Sequence, residues 1–406
     1  MSVLFLGKEQ MKKKVLLLEW ASFGTPFVID SFHELGYQVD KFPIPRERID
    51  TRSDVGYAEQ LVHQMMGKEY ACIFTFNYFP VVAIACKACK VPYISWTYDS
   101  PFIQLYSETL GFETNFVFVF DGHTVKELQA IGYGNVQYLP MAAATDYYQK
   151  LLQKHQGKLE CHNDVAFVGS LYKEDFHNPF KKMQGLSDYY KGIVDGLVQA
   201  QKSVYGYNFL QEVLERNQDL VKEMHVLCPI VFGADELETI EWVYANYYLS
   251  RQVTALDRCD LLEEMAKHFQ TCVYAPEKHS IPGVEFREKV DYFFEAPYVY
   301  KNSKINLNIT LRSIQTGIPL RAFDIMGSGG LLLSNYQEDL LEYFEPDVDF
   351  LLYGNYEEAI EKASFYIKND KEREKIIQHS MAKLRAEHTY LQRVKVMCSC
   401  IEDYWM

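Results

Sequence analysis

Short apolar runs alternating with helical stretches restrict this chain more than any other feature. Val15–Leu18 reads as a buried strand, followed by the loop Glu19–Pro26 and a helix Phe27–Leu35 that ends at Gly36. Val39–Phe42, Ala71–Phe76, Tyr93–Trp96, Phe116–Phe120 and Val136–Leu139 read as further strands, with helices Tyr57–Met66 and Val81–Lys90 among them. Strands alternating with helices imply a mostly parallel sheet covered on both faces. Ligands of such sheets gather at the carboxyl ends of the strands. The loops Ala21–Thr25, Asn77–Pro80 and Thr97–Pro101 are therefore the ones to watch.

A polar stretch, Gln149–Asn163, introduces a second α/β unit. Its first strand, Val165–Val168, runs into Gly169-Ser170, a short loop able to meet a phosphate. Residues 180–268 are strongly helical, and their tyrosines (Tyr189, Tyr190, Tyr205, Tyr207, Tyr244, Tyr247 and Tyr248) read as packing. Thr271–Tyr274, Val290–Phe293 and Lys304–Thr310 continue the sheet. Ala359–Met406 reads as helix broken near Lys368–Asp370, long enough to cross back over the first domain.

With 406 residues, 48% of them apolar, the chain has material for two domains. A formal charge of −14 argues against a duplex nucleic-acid binder, whose footprint is usually basic. No apolar run approaches the roughly 18–20 residues of a membrane span. Lys12–Lys14 precede Val15–Leu18, but Glu19 ends that run too early for a signal peptide, and Met11 stands where the natural protein can start. Cys86 and Cys89, and Cys398 and Cys400, lie in apolar helical contexts without further zinc ligands. They read as reduced core cysteines of a cytoplasmic protein.

Residues 317–335, GIPLRAFDIMGSGGLLLSN, carry the most chemistry. Gly317 breaks the preceding segment, and Pro319 suits the first turn of a helix, Leu320–Met326, that carries Asp324. Gly327, Gly329 and Gly330 end the helix, and the strand Leu331–Leu333 follows. Unpaired N–H groups beside Gly317 and Ile318 favour a phosphate, and Asp324 lies about a turn and a half further on, in reach of an attached sugar's hydroxyls. An ordinary helix-to-strand turn is the alternative.

These residues carry a resemblance. YKNSKINLNITLRSIQTGIPLRAFDIMGSGGLLLSNY, with the loops TFNYFP (75–80) and SWTYDSP (95–101), resembles the spore-maturation-type (CgeB-like) glycosyltransferases, in which an uncharacterised domain precedes a group-1-like transferase domain. YLPMAAATDYY (138–148) is similar to the linker between the domains of GT-B transferases. The resemblance implies a GT-B fold, two Rossmann-like α/β domains facing a cleft. Residues 1–148 would be the acceptor domain and 163–385 the nucleotide-sugar domain, with a helical insertion at about 180–268. Residues 386–406 would return as a helix to the first domain.

The same resemblance implies transfer of a hexose-type sugar from a nucleotide diphosphate sugar, UDP-linked, to a hydroxyl on a glycan, protein or peptide. The nucleotide sugar is then a co-substrate, and no cofactor is expected. In related transferases a glutamate at the Asp324 position holds the donor ribose; the familiar paired glutamate upstream is replaced by Gln315-Thr316. Lys304, Arg312 and Arg321 are the expected diphosphate cations. Arg321, three residues before Asp324, can instead pair with it on the helix.

Asp99, after a strand and before Pro101, is the candidate base, with turn capping as its alternative. Asp121 and His123 are the rival pair. Asp347-Val-Asp349 has the pattern of a metal-bound donor site but follows Glu345-Pro346 and reads as a turn, so the chemistry is expected to need no metal. Neither G-x-G-x-x-G after a strand nor G-x-x-x-x-G-K-[ST] occurs, which disfavours a dinucleotide enzyme or an NTPase. A non-catalytic nucleotide-sugar or glycan-binding module is the second reading.

Overall fold

The computed structural model describes residues 14–154, 162–174, 179–233, 235–402 and 404. Met11 and part of the Gln149–Asn163 stretch lie outside them. Two six-stranded, all-parallel sheets organise the chain. The first has the order β2-β1-β3-β4-β5-β6, built from β1 (Lys14–Glu19), β2 (Gln38–Pro43), β3 (Cys72–Phe76), β4 (Tyr93–Thr97), β5 (Asn115–Val119) and β6 (Val136–Tyr138). The second has the order β12-β11-β10-β7-β8-β9. Its strands are β7 (Asn163–Val168), β8 (Thr271–Ala275), β9 (Glu285–Glu288), β10 (Ser303–Asn308), β11 (Leu332–Asn335) and β12 (Leu351–Tyr353).

Composition explains strand position. Every residue of β3, β4 and β8 is buried, which suits central strands covered by helices on both faces. The edge strands β2 (QVDKFP) and β9 (EFRE) carry charges and contain no fully buried residue. This places the edge strand at Glu285–Glu288 and not at the expected Val290–Phe293. The latter residues turn away from the sheet, and Phe293 packs 6.1 Å from the Phe27 ring.

One apolar core runs through both sheets' packing, joining Phe27, Trp96 and Phe120 of the first to Ile318, Phe323 and Ile325 of the second. The helix Tyr390–Glu402 packs on the helix Thr25–Glu34 and closes that core with Val394, Met397 and Ile401. The helical region after β7 also docks on the first sheet, where Trp242 meets Tyr106 at 4.5 Å. Among the described residues all cysteines are free. No described helix is long and apolar enough to cross a membrane.

Candidate active site

Both sheets reverse strand order once, between β1 and β3 and between β7 and β10. Such switch points open a crevice at the strands' carboxyl ends. In the second sheet the crevice is stapled by two guanidiniums. Arg321 donates to Val168 O at 2.9 Å and to Asn308 Oδ1 at 3.2 Å, bridging β7 and β10. Arg258 donates to Ile309 O and, at 2.5 Å, to Ser170 O. Both cations lie over the Phe167 ring. Gly169 makes room for them: its φ is +144°, and a Cβ there would come within 2.6 Å of Arg321 Nη2.

Burial, then the nearby charge of Arg321, pushes Arg258 down to about 10. The hydrogen bonds of both guanidiniums go to neutral oxygens, while the carboxylates of Asp257 and Glu174 act on Arg258 and that of Asp324 lies near Arg321. Sequence reasoning missed Arg258; its only signal was an arginine inside a helix, Ser250–Ala266, that is buried on most sides. Ser170 donates to Glu174 and accepts from the Tyr172 amide, holding the loop's shape.

Two expected phosphate cations are corrected. Lys304 sits at the amino end of β10 and pairs with Asp164 at 2.8 Å, about 13 Å of strand away from the carboxyl end. Arg312 is buried and bound to Asp257 at 2.9 Å, with Tyr205 beneath it at 4.1 Å. It is a structural ion pair.

The amides expected to hold the donor's phosphate already hold a carboxylate. Asp121, which caps the helix Gly122–Ala130 in the first domain, accepts from Gln315 N (3.2 Å), Thr316 N (3.2 Å), Thr316 Oγ1 (2.9 Å), Gly317 N (3.1 Å) and its own His123 N (3.1 Å). A Cβ on Gly317 would stand 2.9 Å from Asp121 Cα, so glycine permits the approach. Ile318, expected to offer its amide to the donor, is fully buried in the shared core. Asp339 accepts from Gly122 N on the other side, and burial, with Asp121's charge, raises it to about 6.

Asp324 is buried, and one oxygen accepts from the hydroxyls of Tyr148 (2.7 Å) and Tyr292 (2.9 Å). Burial raises it to about 7, against the lowering effect of those bonds and of Arg321. It makes no ion pair with Arg321. Tyr292 also touches Phe23, 4.3 Å away in the Ala21–Thr25 loop.

The candidate catalytic residues meet elsewhere in the interdomain cleft. Asp99 and His123 line one cavity of ≈ 40 Å³, bounded by the ends of β4 and β5, by Ser313 and Gln315 after β10, and by Asn208, Trp242 and Asn246 of the helical region. Asp99 is fixed by Asn77, a left-handed residue with φ +61°. Asn77 Nδ2 donates to Asp99 at 2.7 Å, while its Oδ1 accepts from the amides of Tyr98 and Asp99. Burial raises the Asp99 carboxyl above the usual range, partly offset by Asn77 and Arg46.

Of the three expected acceptor loops only Thr97–Pro101 lines this cavity; Asn77–Pro80 stands behind it. Tyr78, Phe79 and Trp96 are fully buried packing residues. Asp347 and Asp349 lie in a tight turn, bound to Lys362 and to Lys383 and the Glu345 amide.

Residues 251–399 match the family described as Glycosyl transferase-like. The chain carries a glycosyltransferase-like domain. Its whole-chain architecture is similar to those of many solved structures, three of which follow. A UDP-forming α,α-trehalose-phosphate synthase from Burkholderia vietnamiensis aligns at TM-score 0.54 and 10% identity, over 96% of this chain and 100% of that one. Sucrose-phosphate synthase from Thermosynechococcus elongatus aligns at 0.52 and 10%, over 97% and 98%. Anabaena HepE in complex with UDP aligns at 0.50 and 13%, over 96% and 100%. The fold is GT-B. No curated protein sequence matches this one.

Proposed function

We propose that the protein transfers a hexose-type sugar from a UDP-sugar to a hydroxyl acceptor on a glycan, protein or peptide, as a spore-maturation-type glycosyltransferase of the cytoplasm. The observation that carries this reading is the meeting of two features across one cleft. A cavity bearing Asp99 and His123 from the first domain is closed by the segment, 313–317, that leads into the glycosyltransferase-like helix. The UDP-bound relative supports the choice of nucleotide.

In this reading Arg321 and Arg258 hold the diphosphate at the β7/β10 crevice and stabilise the charge that develops on it as it leaves. The acceptor oxygen attacks the anomeric carbon, the carbon–oxygen bond to the diphosphate breaks, and the acceptor proton passes to Asp99. A carboxyl raised by burial is a better base near neutral pH than a free one. Asn77 is a positioning residue for it. No metal is assigned, since the one D-x-D segment is committed to a turn and to lysines. The free thiols support a reducing compartment.

A non-catalytic binding module is favoured by one observation: both Asp324 and the 315–317 amides are occupied by side chains of the protein itself. Calorimetry with UDP, GDP and ADP, followed by UDP-sugar hydrolysis, separates the readings. UDP binding with sugar release supports the transferase, binding without release supports the nucleotide-sugar module, and silence with all three nucleotides removes both and leaves only a glycan-binding module. Asp99→Asn should cut turnover by roughly 10²–10⁴-fold with donor affinity unchanged. Near-normal turnover would pass the proton to His123 or to the leaving phosphate.

A further inference from the structure

A second cavity, of ≈ 680 Å³, opens at the carboxyl ends of β1 and β2 and shares no lining residue with the one beside Asp99. Trp20 after β1, the turn 44–48 after β2, and Thr51 and Gln104 line it. Its platform is an aromatic stack. Trp20 donates its indole N–H to Phe76 O at 3.0 Å and lies parallel to the Tyr98 ring, with centroids 6.0 Å apart. The Arg46 guanidinium sits over the Trp20 ring at 4.2 Å and 5.8 Å from the Phe79 ring. A guanidinium held over a ring keeps the N–H groups at its edges available to a ligand. Main-chain bonds fix the turn that carries Arg46 and Arg48: Arg46 N donates to Ile44 O at 2.9 Å, and Arg48 N to Pro45 O at 2.8 Å.

Among the described residues neither the Arg46 nor the Arg48 guanidinium makes a hydrogen bond or an ion pair. Neighbouring charges are committed to each other instead. Arg52 is held by Glu236 at 3.0 Å, Glu238 at 3.0 Å and Asp235 at 3.6 Å, and Glu19 by Lys41 at 2.9 Å. Asp50 accepts from Arg52 N and from the Ser53 hydroxyl. Glu47, exposed, is the one carboxylate of the lining. A chain of net charge −14 thus leaves two cations free on one wall. The Thr51 hydroxyl accepts from Gln104 Nε2 at 3.4 Å and keeps its own proton to donate. An anion completes such a wall. A carboxylate brings one charge and two oxygens, whereas a phosphate monoester brings a charge of about −1.5 to −2 and three free oxygens, enough for two guanidiniums and a hydroxyl.

We propose that this cavity is a binding site for a phosphate group, free or as a monoester, held between Arg46 and Arg48 on the Trp20 platform. It is distinct from the β7/β10 crevice, which lies in the other sheet. Binding is measured without turnover, so the proposal does not rest on the transferase reading. The full chain is titrated by calorimetry, at physiological ionic strength, with inorganic phosphate, glycerol phosphate, glycerol and acetate.

Both phosphates should bind more tightly than acetate, and glycerol not at all. Equal affinity of the two phosphates assigns the site to the free ion, and tighter binding of the ester assigns it to an organic phosphate; either supports the proposal. Arg46→Ala and Arg48→Ala should each weaken the binding at least about tenfold. Glu47→Gln should strengthen it about fivefold, an outcome that does not depend on a loss of function. Arg321→Ala, in the other sheet's crevice, should leave it unchanged. No binding of either phosphate, acetate binding as tightly as phosphate, or binding that survives both Arg46→Ala and Arg48→Ala but is lost in Arg321→Ala overturns the proposal.

Discussion

Asp121→Ala tests the joint between the domains. The carboxylate receives five hydrogen bonds, four of them from Gln315, Thr316 and Gly317 of the second domain. Alanine would leave three main-chain amides of that segment without an acceptor and uncap the helix Gly122–Ala130. A buried orphan costs about 1–3 kcal/mol, and hydroxyl rotation and water entry recover part of it, so a total of about 3–5 kcal/mol is expected. Asp121→Asn can keep an oxygen at the Oδ1 position, which serves every donor but Gln315 N, and should cost only about 1–2 kcal/mol.

Urea unfolding of the three proteins measures both numbers. One core spans both sheets, so a single cooperative transition is expected. Hydrogen exchange at Gln315–Gly317 should quicken in the alanine variant before exchange in the strands does. A loss under about 1 kcal/mol for alanine, or equal losses for alanine and asparagine, would refute the account of Asp121 as a hydrogen-bonded tie.

Asp324→Asn should act through pH. The carboxyl titrates near its ordinary 3.8 in the unfolded chain and near 7 in the fold, so the folded state holds the extra proton between those values. Stability contributed by this group therefore falls as pH rises across that window. The variant should be more stable than the parent at pH 8, by about 4 kcal/mol at most, with the gap closing toward pH 4; a gap independent of pH would contradict the burial argument. Arg312→Ala should lose about 3–5 kcal/mol of stability by stranding Asp257 in the core. Arg321→Ala should instead weaken UDP binding about tenfold or more with a smaller stability change; calorimetry and urea melts on both variants would show whether the two arginines exchange these effects.

The alternation of apolar runs and helices was enough to specify two parallel sheets, because a strand buried on both faces needs a continuous apolar run whatever its neighbours are. The strand at Glu285–Glu288 escaped detection for the same reason in reverse: an edge strand half in water has no such run, while the apolar Val290–Phe293 is needed in the interdomain core. At the site, local sequence named the strand-end loops and the candidates Asp99 and His123, since a carboxyl end is a position along the chain. Which cations face the cleft was a different matter. Lys304 and Arg312 stand within 20 residues of Asp324, as Arg321 does, yet strand direction sends the first to the far end of the sheet and the Asp257 carboxylate holds the second in the core. Arg258, more than 60 residues away in sequence, reaches the crevice through helix packing. The Asp121 tie across nearly 200 residues, and the unpaired hydroxyls of Thr97 and Ser313 in one cavity, exist only when the two sheets face each other. Sequence determines the elements through local periodicity; the pairing of charges and hydrogen-bond donors across the cleft depends on distances that only the folded chain sets.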